Sequence, residues 1–97
     1  MDDEILLRMR VAKASRAKEI LDNEVFQESF EQIKQEYITA WTNTPARDSE
    51  GREKLYLMIK TLEKVKLQLE ATMEDGKIAN STLQHLLNRA KDFLWAA

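Results

Sequence analysis

Apolar residues recur every three or four positions along most of the chain, and this pattern predicts four helical segments and an all-α fold. The second segment, about 24–42, is the plainest. At about 100° per residue, Phe26, Phe30, Ile33, Tyr37, Ala40 and Trp41 share one arc, while Glu24, Glu28, Glu31 and Gln35 face the other way. The third segment covers about 48–75. Leu55, Met58, Ile59, Leu62, Val65, Leu69 and Met73 make one stripe with the spacing of a coiled-coil seam. Between the two lies a turn in which Thr44-Pro45, Asp48 and Ser49 compete as helix starts, and Gly51 loosens the first turn.

A turn that short predicts an antiparallel helical hairpin with coiled-coil-like packing. Its register puts Trp41 near Leu55, Tyr37 near Met58 and Ile59, Ile33 near Leu62, and Phe26 near Leu69 and Met73. Gly76 is expected just past the end of the third helix, where a left-handed residue closes the last turn. Ser81-Thr82-Leu83-Gln84 has the spacing of a capping box. It predicts a short C-terminal helix over 81–95 with Leu83, Leu86, Leu87, Ala90, Phe93, Leu94 and Ala97 on one face. The whole is read as a single helical domain, 1–97.

The first segment, 3–21, differs from the others. Asp2, Asp3 and Glu4 suit a helix N-terminus, and Asp22-Asn23 offers a break with a new cap. Its apolar residues occupy two arcs: Leu6, Leu7, Val11, Ala14, Ala17 and Leu21 on one, Ile5, Met9, Ala12 and Ile20 on the other. A two-sided pattern means contacts on more than one side, and the alanines permit close helix approach. Arg8, Arg10, Lys13, Arg16 and Lys18 are scattered around the circumference with no acid between them. They are the candidate contacts for DNA or for a protein partner.

Composition narrows the chemistry. The 97 residues include no Cys, one His, two Gly and one Pro. That excludes disulfide scaffolds, Cys-based zinc sites and Gly-rich phosphate loops, and 33% charged residues fit long amphipathic helices. The formal net charge of −2 gives no global pull on nucleic acid. It hides a local imbalance, however. Residues 23–44 carry four acids and one base, while residues 77–97 carry one acid and three bases. The acidic outer face of the second helix therefore complements the basic run of the first, as between neighbouring copies. An acidic N-terminus and the lack of a long apolar run predict a soluble cytoplasmic protein without a membrane segment.

No catalytic, cofactor or metal site is expected. His85 falls on the polar face of its helix, and Glu28 and Glu31 read as a solvated pair. The serines have no neighbouring His, and the paired Glu-x-x-His motifs of di-iron bundles are absent. Lys66 stands inside the third helix's apolar stripe, where a charge often sets register or oligomeric state. Tyr56 and Trp95 lie off the apolar faces and are candidate anchors for a partner pocket.

Two stretches carry a resemblance. One is Arg16-Ala17-Lys18-Glu19-Ile20-Leu21-Asp22-Asn23, continuing through Phe26-Gln27-Glu28-Ser29-Phe30. The other is Thr44-Pro45-Ala46-Arg47-Asp48-Ser49-Glu50-Gly51-Arg52-Glu53-Lys54-Leu55, followed by Glu74-Asp75-Gly76-Lys77. Over residues 16–78 the chain resembles small helical proteins of tailed bacteriophages and prophages. The resemblance implies a non-enzymatic structural or assembly protein in the host cytoplasm or the virion, a homo-oligomer or one that docks on another phage or host protein. Two alternatives stand beside it: a DNA-binding packaging accessory like the small terminase subunits, and a small inhibitor of a host protein. No small-molecule substrate is expected. Small terminase subunits carry a helix-turn-helix ahead of their hairpin, which this chain lacks, so any DNA contact falls to Arg8 through Lys18.

Overall fold

A computed structural model describes residues Asp3–Ala96, except for the side chains of Trp95 and Ala96. Among the described residues the secondary structure is entirely helical: α1 (Asp3–Asp22), α2 (Glu24–Asn43) and α3 (Ser49–Ala96). The break between α1 and α2 is a single residue, Asn23, in extended conformation. Its side chain accepts a hydrogen bond from the Phe26 amide at 2.9 Å, capping α2. Its own amide donates to the Ile20 carbonyl, and the Gln27 side chain donates to the Leu21 carbonyl at 2.7 Å. Carbonyls that a helix end leaves open are thus satisfied locally. At the other turn, Asp48 takes the cap position of α3, accepting from the Gly51 amide at 3.0 Å.

The third helix corrects the sequence reading. No separate helix over 81–95 forms, because α3 is continuous for 48 residues through Gly76 and Ser81. Gly76 has no positive φ. It serves a close approach instead: a Cβ there would overlap that of Ala14, with the Ala14 Cα at 3.5 Å. Ser81 caps nothing, and Thr82 turns its hydroxyl back onto the Ile78 carbonyl at 3.1 Å, as a threonine inside a helix does. Burial of Ala79 and Leu83 on either side holds this weakly helical stretch in the helix.

The chain divides into two compact units, one of Met1–Glu19 with Glu70–Ala97 and one of Ile20–Leu69. In the first, α1 runs antiparallel to the C-terminal part of α3. Leu7 meets Ala79 and Leu83, Val11 packs beside them, and Ala14 meets Gly76. Arg10 reaches Asp75 through two short bonds, Nε to Oδ2 at 2.9 Å and Nη2 to Oδ1 at 2.7 Å. In the second unit, α2 runs antiparallel to the start of α3. The Lys66 ammonium sits 5.4 Å from the centre of the Phe30 ring, and Tyr37 shares a groove with Met58 and Leu62.

The expected seam of the third helix splits. Leu55, Ile59, Leu62, Leu69 and Met73 are half-buried, whereas Met58 and Val65 are 43% and 51% exposed. One neighbouring helix covers one narrow stripe, and this apolar stripe is wider than that.

Candidate interaction site

The two arcs of α1 are resolved by packing. Leu7, Ala14 and Ala17 are buried and Val11 and Leu21 half-buried, so the first arc faces inward; Leu6 is the exception and stays exposed. The second arc, Ile5, Met9, Ala12 and Ile20, is exposed. Leu6, Met9, Arg10, Ala12, Lys13 and Arg16 line a shallow groove of about 790 Å³. Its apolar floor and cationic rim come from one helix face, since these positions repeat at spacings of three and four.

The basic run does not act as a block. Arg8 is paired with Glu4 at 2.8 Å, one turn back. Arg10 is clamped on Asp75, and the guanidinium hydrogen bonds hold that carboxyl below the usual carboxylate range, with the charge of Lys13 adding to the effect. The same contact raises the pKa of Arg10. Lys13 and Arg16 lie on the groove rim, and Lys18 has an interaction of its own. Arg8 and Arg10 are therefore committed to carboxylates within the unit, which reduces what the run can offer to phosphates.

The second unit carries two grooves on one side of α3. One, of about 350 Å³, is lined by Tyr37, Leu57, Met58, Thr61, Leu62 and Val65. The other, of about 420 Å³, is lined by Ile20, Thr61, Lys64, Val65, Gln68 and Leu69. They share Thr61 and Val65, so together they follow the helix for about three turns.

No protein-family model, curated protein or solved structure matches this chain. Its surfaces must be read from their own chemistry. Among the described residues, no cluster of three or more His, Asp or Glu side chains could hold a metal ion, and no helix is long and apolar enough to cross a membrane. His85 is exposed. Tyr56 is half-exposed with the Lys60 ammonium 5.5 Å from its ring, so the anchor expected there already carries a cation within the chain. The anchor expected at Trp95 lies outside the described side chains.

Lys66, read from sequence as a charge that sets assembly, has its cation over the Phe30 ring. The surface that sequence reasoning missed is the Met58 and Val65 flank, read there as part of the seam; Ile20, on the outward arc of α1, lines one of its grooves. The signal was present: apolar residues on α3 occupy more of the circumference than a two-helix seam uses.

Proposed function

We propose that this chain is a non-enzymatic helical assembly protein that works by burying its open apolar faces against further copies or against a larger particle. The observation that carries the reading is the balance of burial. Among the described residues, the buried apolar side chains are Leu7, Ala14, Ala17, Phe30, Ala79 and Leu83. Against these stands a longer set of large exposed ones, from Ile5 and Met9 on α1 to Leu86, Phe93 and Leu94 on α3. Scattered exposed apolar residues are ordinary, but contiguous ones mark interaction surfaces. The likeness of residues 16–78 to tailed-phage proteins suggests a virion or DNA-packaging complex as the setting.

The test is the mass of the full chain in solution, by light scattering across a concentration series with and without duplex DNA. A mass that rises above the 11.3 kDa of one copy is expected. A mass fixed at that value up to high micromolar concentration removes self-association. Binding to DNA that weakens steeply with salt would instead favour the packaging-accessory reading through Lys13 and Arg16.

A further inference from the structure

In the unit of Met1–Glu19 with Glu70–Ala97, α1 is packed on one side and open on the other. Leu7, Ala14 and Ala17 are buried, Leu7 against Ala79 and Leu83 of α3. On the outward side Leu6, Met9, Lys13 and Arg16 follow one another at steps of three, four and three, the spacing of a coiled-coil seam. All four are exposed, Met9 by 60%, and all four line the groove along α1. The seam is thus apolar in its first half and cationic in its second. No acid stands between residues 5 and 18, so every charge on this stretch of the helix is positive.

That order of side chains selects its occupant. A second copy's α1 does not fit. Laid parallel, two such seams set Lys13 on Lys13 and Arg16 on Arg16, and like charges in contact repel. Laid antiparallel in full overlap, they set Lys13 on Met9 and Arg16 on Leu6, which covers each cation and leaves it unpaired. The acidic outer face of a second copy's α2 matches the charges alone. With the exposed Glu28 and Glu31 set against the two cations, the position over Met9 is Gln35 in one direction and Glu24 in the other. Duplex DNA also matches the charges alone. Its phosphates find Lys13 and Arg16, but they gain nothing from Leu6 and Met9, and Arg8 and Arg10 are already held by Glu4 and Asp75. All four positions are satisfied by an amphipathic helix with carboxylates at two successive seam positions and apolar side chains at the next two. Charges placed in this way on a seam set partner and direction.

We infer that the outward face of α1 docks an amphipathic helix of another protein, which sets two carboxylates against Lys13 and Arg16 and two apolar side chains against Leu6 and Met9. The partner's signature is two acids three residues apart and two apolar residues three apart, with a step of four between the pairs. This inference rests on the assembly-protein reading and names the kind of partner that one face takes.

The experiment titrates the full chain against two synthetic amphipathic helices of about three heptads, read by fluorescence anisotropy. Both carry leucine along the seam, except at two successive positions that hold Glu in one probe and Lys in the other. The Glu probe is expected to bind about tenfold or more tighter than the Lys probe. Met9→Glu is expected to abolish Glu-probe binding with helicity unchanged by far-ultraviolet circular dichroism. Lys13→Glu with Arg16→Glu is expected to reverse the preference in favour of the Lys probe. Leu67→Glu, exposed in the other unit, is expected to bind as wild type does. Equal binding of the two probes, or a preference that survives the double charge reversal, overturns the inference. Tighter binding to duplex DNA or to phosphatidylserine vesicles than to the Glu probe, lost in the same double variant, overturns it too. Should Met9→Glu lose helicity, the charge reversal decides. The mass of the chain, measured alongside, separates this inference from the assembly reading. A monomer that prefers the Glu probe supports the inference without self-association. An oligomer that Met9→Glu turns into a monomer puts a second copy on this face and overturns it. An oligomer that ignores both probes overturns the inference and leaves the assembly reading standing.

Discussion

The two units pack helix on helix by opposite means. In the unit of Met1–Glu19 with Glu70–Ala97, the contact is made by small residues: Ala14 against Gly76, with Ala79 fully buried beside Leu7 and Leu83. Backbones come close, and a few atoms exclude water from the contact. In the Ile20–Leu69 unit the contact is made by large residues, and Phe30 is its single buried side chain. Phe26 stacks obliquely on that ring at 6.1 Å and Lys66 caps its face. Large side chains hold two helices further apart and leave flanks that one neighbour cannot cover. A close small-residue crossing leaves no room for a further partner within the contact, whereas a wide aromatic seam invites one alongside.

The comparison is broken most directly at Phe30. Phe30→Ala removes the one buried aromatic of its unit and the face on which Lys66 rests. The expected loss is about 3 kcal/mol or more, measured by urea unfolding. A loss well under 1 kcal/mol would mean that Phe30 does not hold the seam.

Gly76 tests the other unit, and there the sign is informative. Replacing a glycine inside a helix with alanine normally gains about 1 kcal/mol. At Gly76 the new methyl would meet the Ala14 methyl, which cannot swing away because it sits directly on the α1 backbone. Overpacking of this kind costs about 1–3 kcal/mol. Gly76→Ala is therefore expected to destabilise, and Ala14→Gly added to it to recover part of the loss, a non-additive pair in a double-mutant cycle. A stabilised single variant would place the helices further apart than this contact requires.

Much of this architecture is legible in the chain. Amphipathic spacing places α1, α2 and the start of α3, and the bounds of the first two agree with expectation to within a residue. Asn23 and Asp48 cap as their side chains suggest. Tyr37 and Met58, placed together by the turn length, line one groove, whereas Ile33 and Trp41, expected against Leu62 and Leu55, are exposed.

What misleads is local chemistry overruled by distant packing. Gly76 and Ser81 carry end and start signals, but Ala14 and Leu7, more than sixty residues earlier in the chain, hold that stretch in one helix. A glycine reads the same whether it is needed for φ or for space, and only the partner tells which. The interaction surface is half legible for the same reason. The two arcs of α1 and the basic run can be read directly, yet their pairing cannot, because Arg10 finds Asp75 only once α1 and α3 are packed.

That pair gives the smallest expected effect and the most specific one. Both side chains are partly exposed, 40% for Arg10 and 48% for Asp75, and solvent screens such pairs strongly. The direction is still fixed by linkage. The folded protein holds the Asp75 carboxyl below its ordinary value, first through hydrogen bonds from Arg10 and then through the charges of Arg10 and Lys13. The pair's stabilisation is therefore complete above the ordinary aspartate range near pH 4 and is lost as pH falls through the lowered value. The raised pKa of Arg10 has its counterpart only at alkaline pH beyond practical reach. Melting temperatures of wild type and Asp75→Asn should thus differ at neutral pH and converge in acid. Curves that stay parallel down to about pH 2 would mean that the carboxylate's charge is not what joins α1 to α3 at this point, leaving the join to the packing of Ala14 on Gly76 and of Leu7 on Ala79 and Leu83.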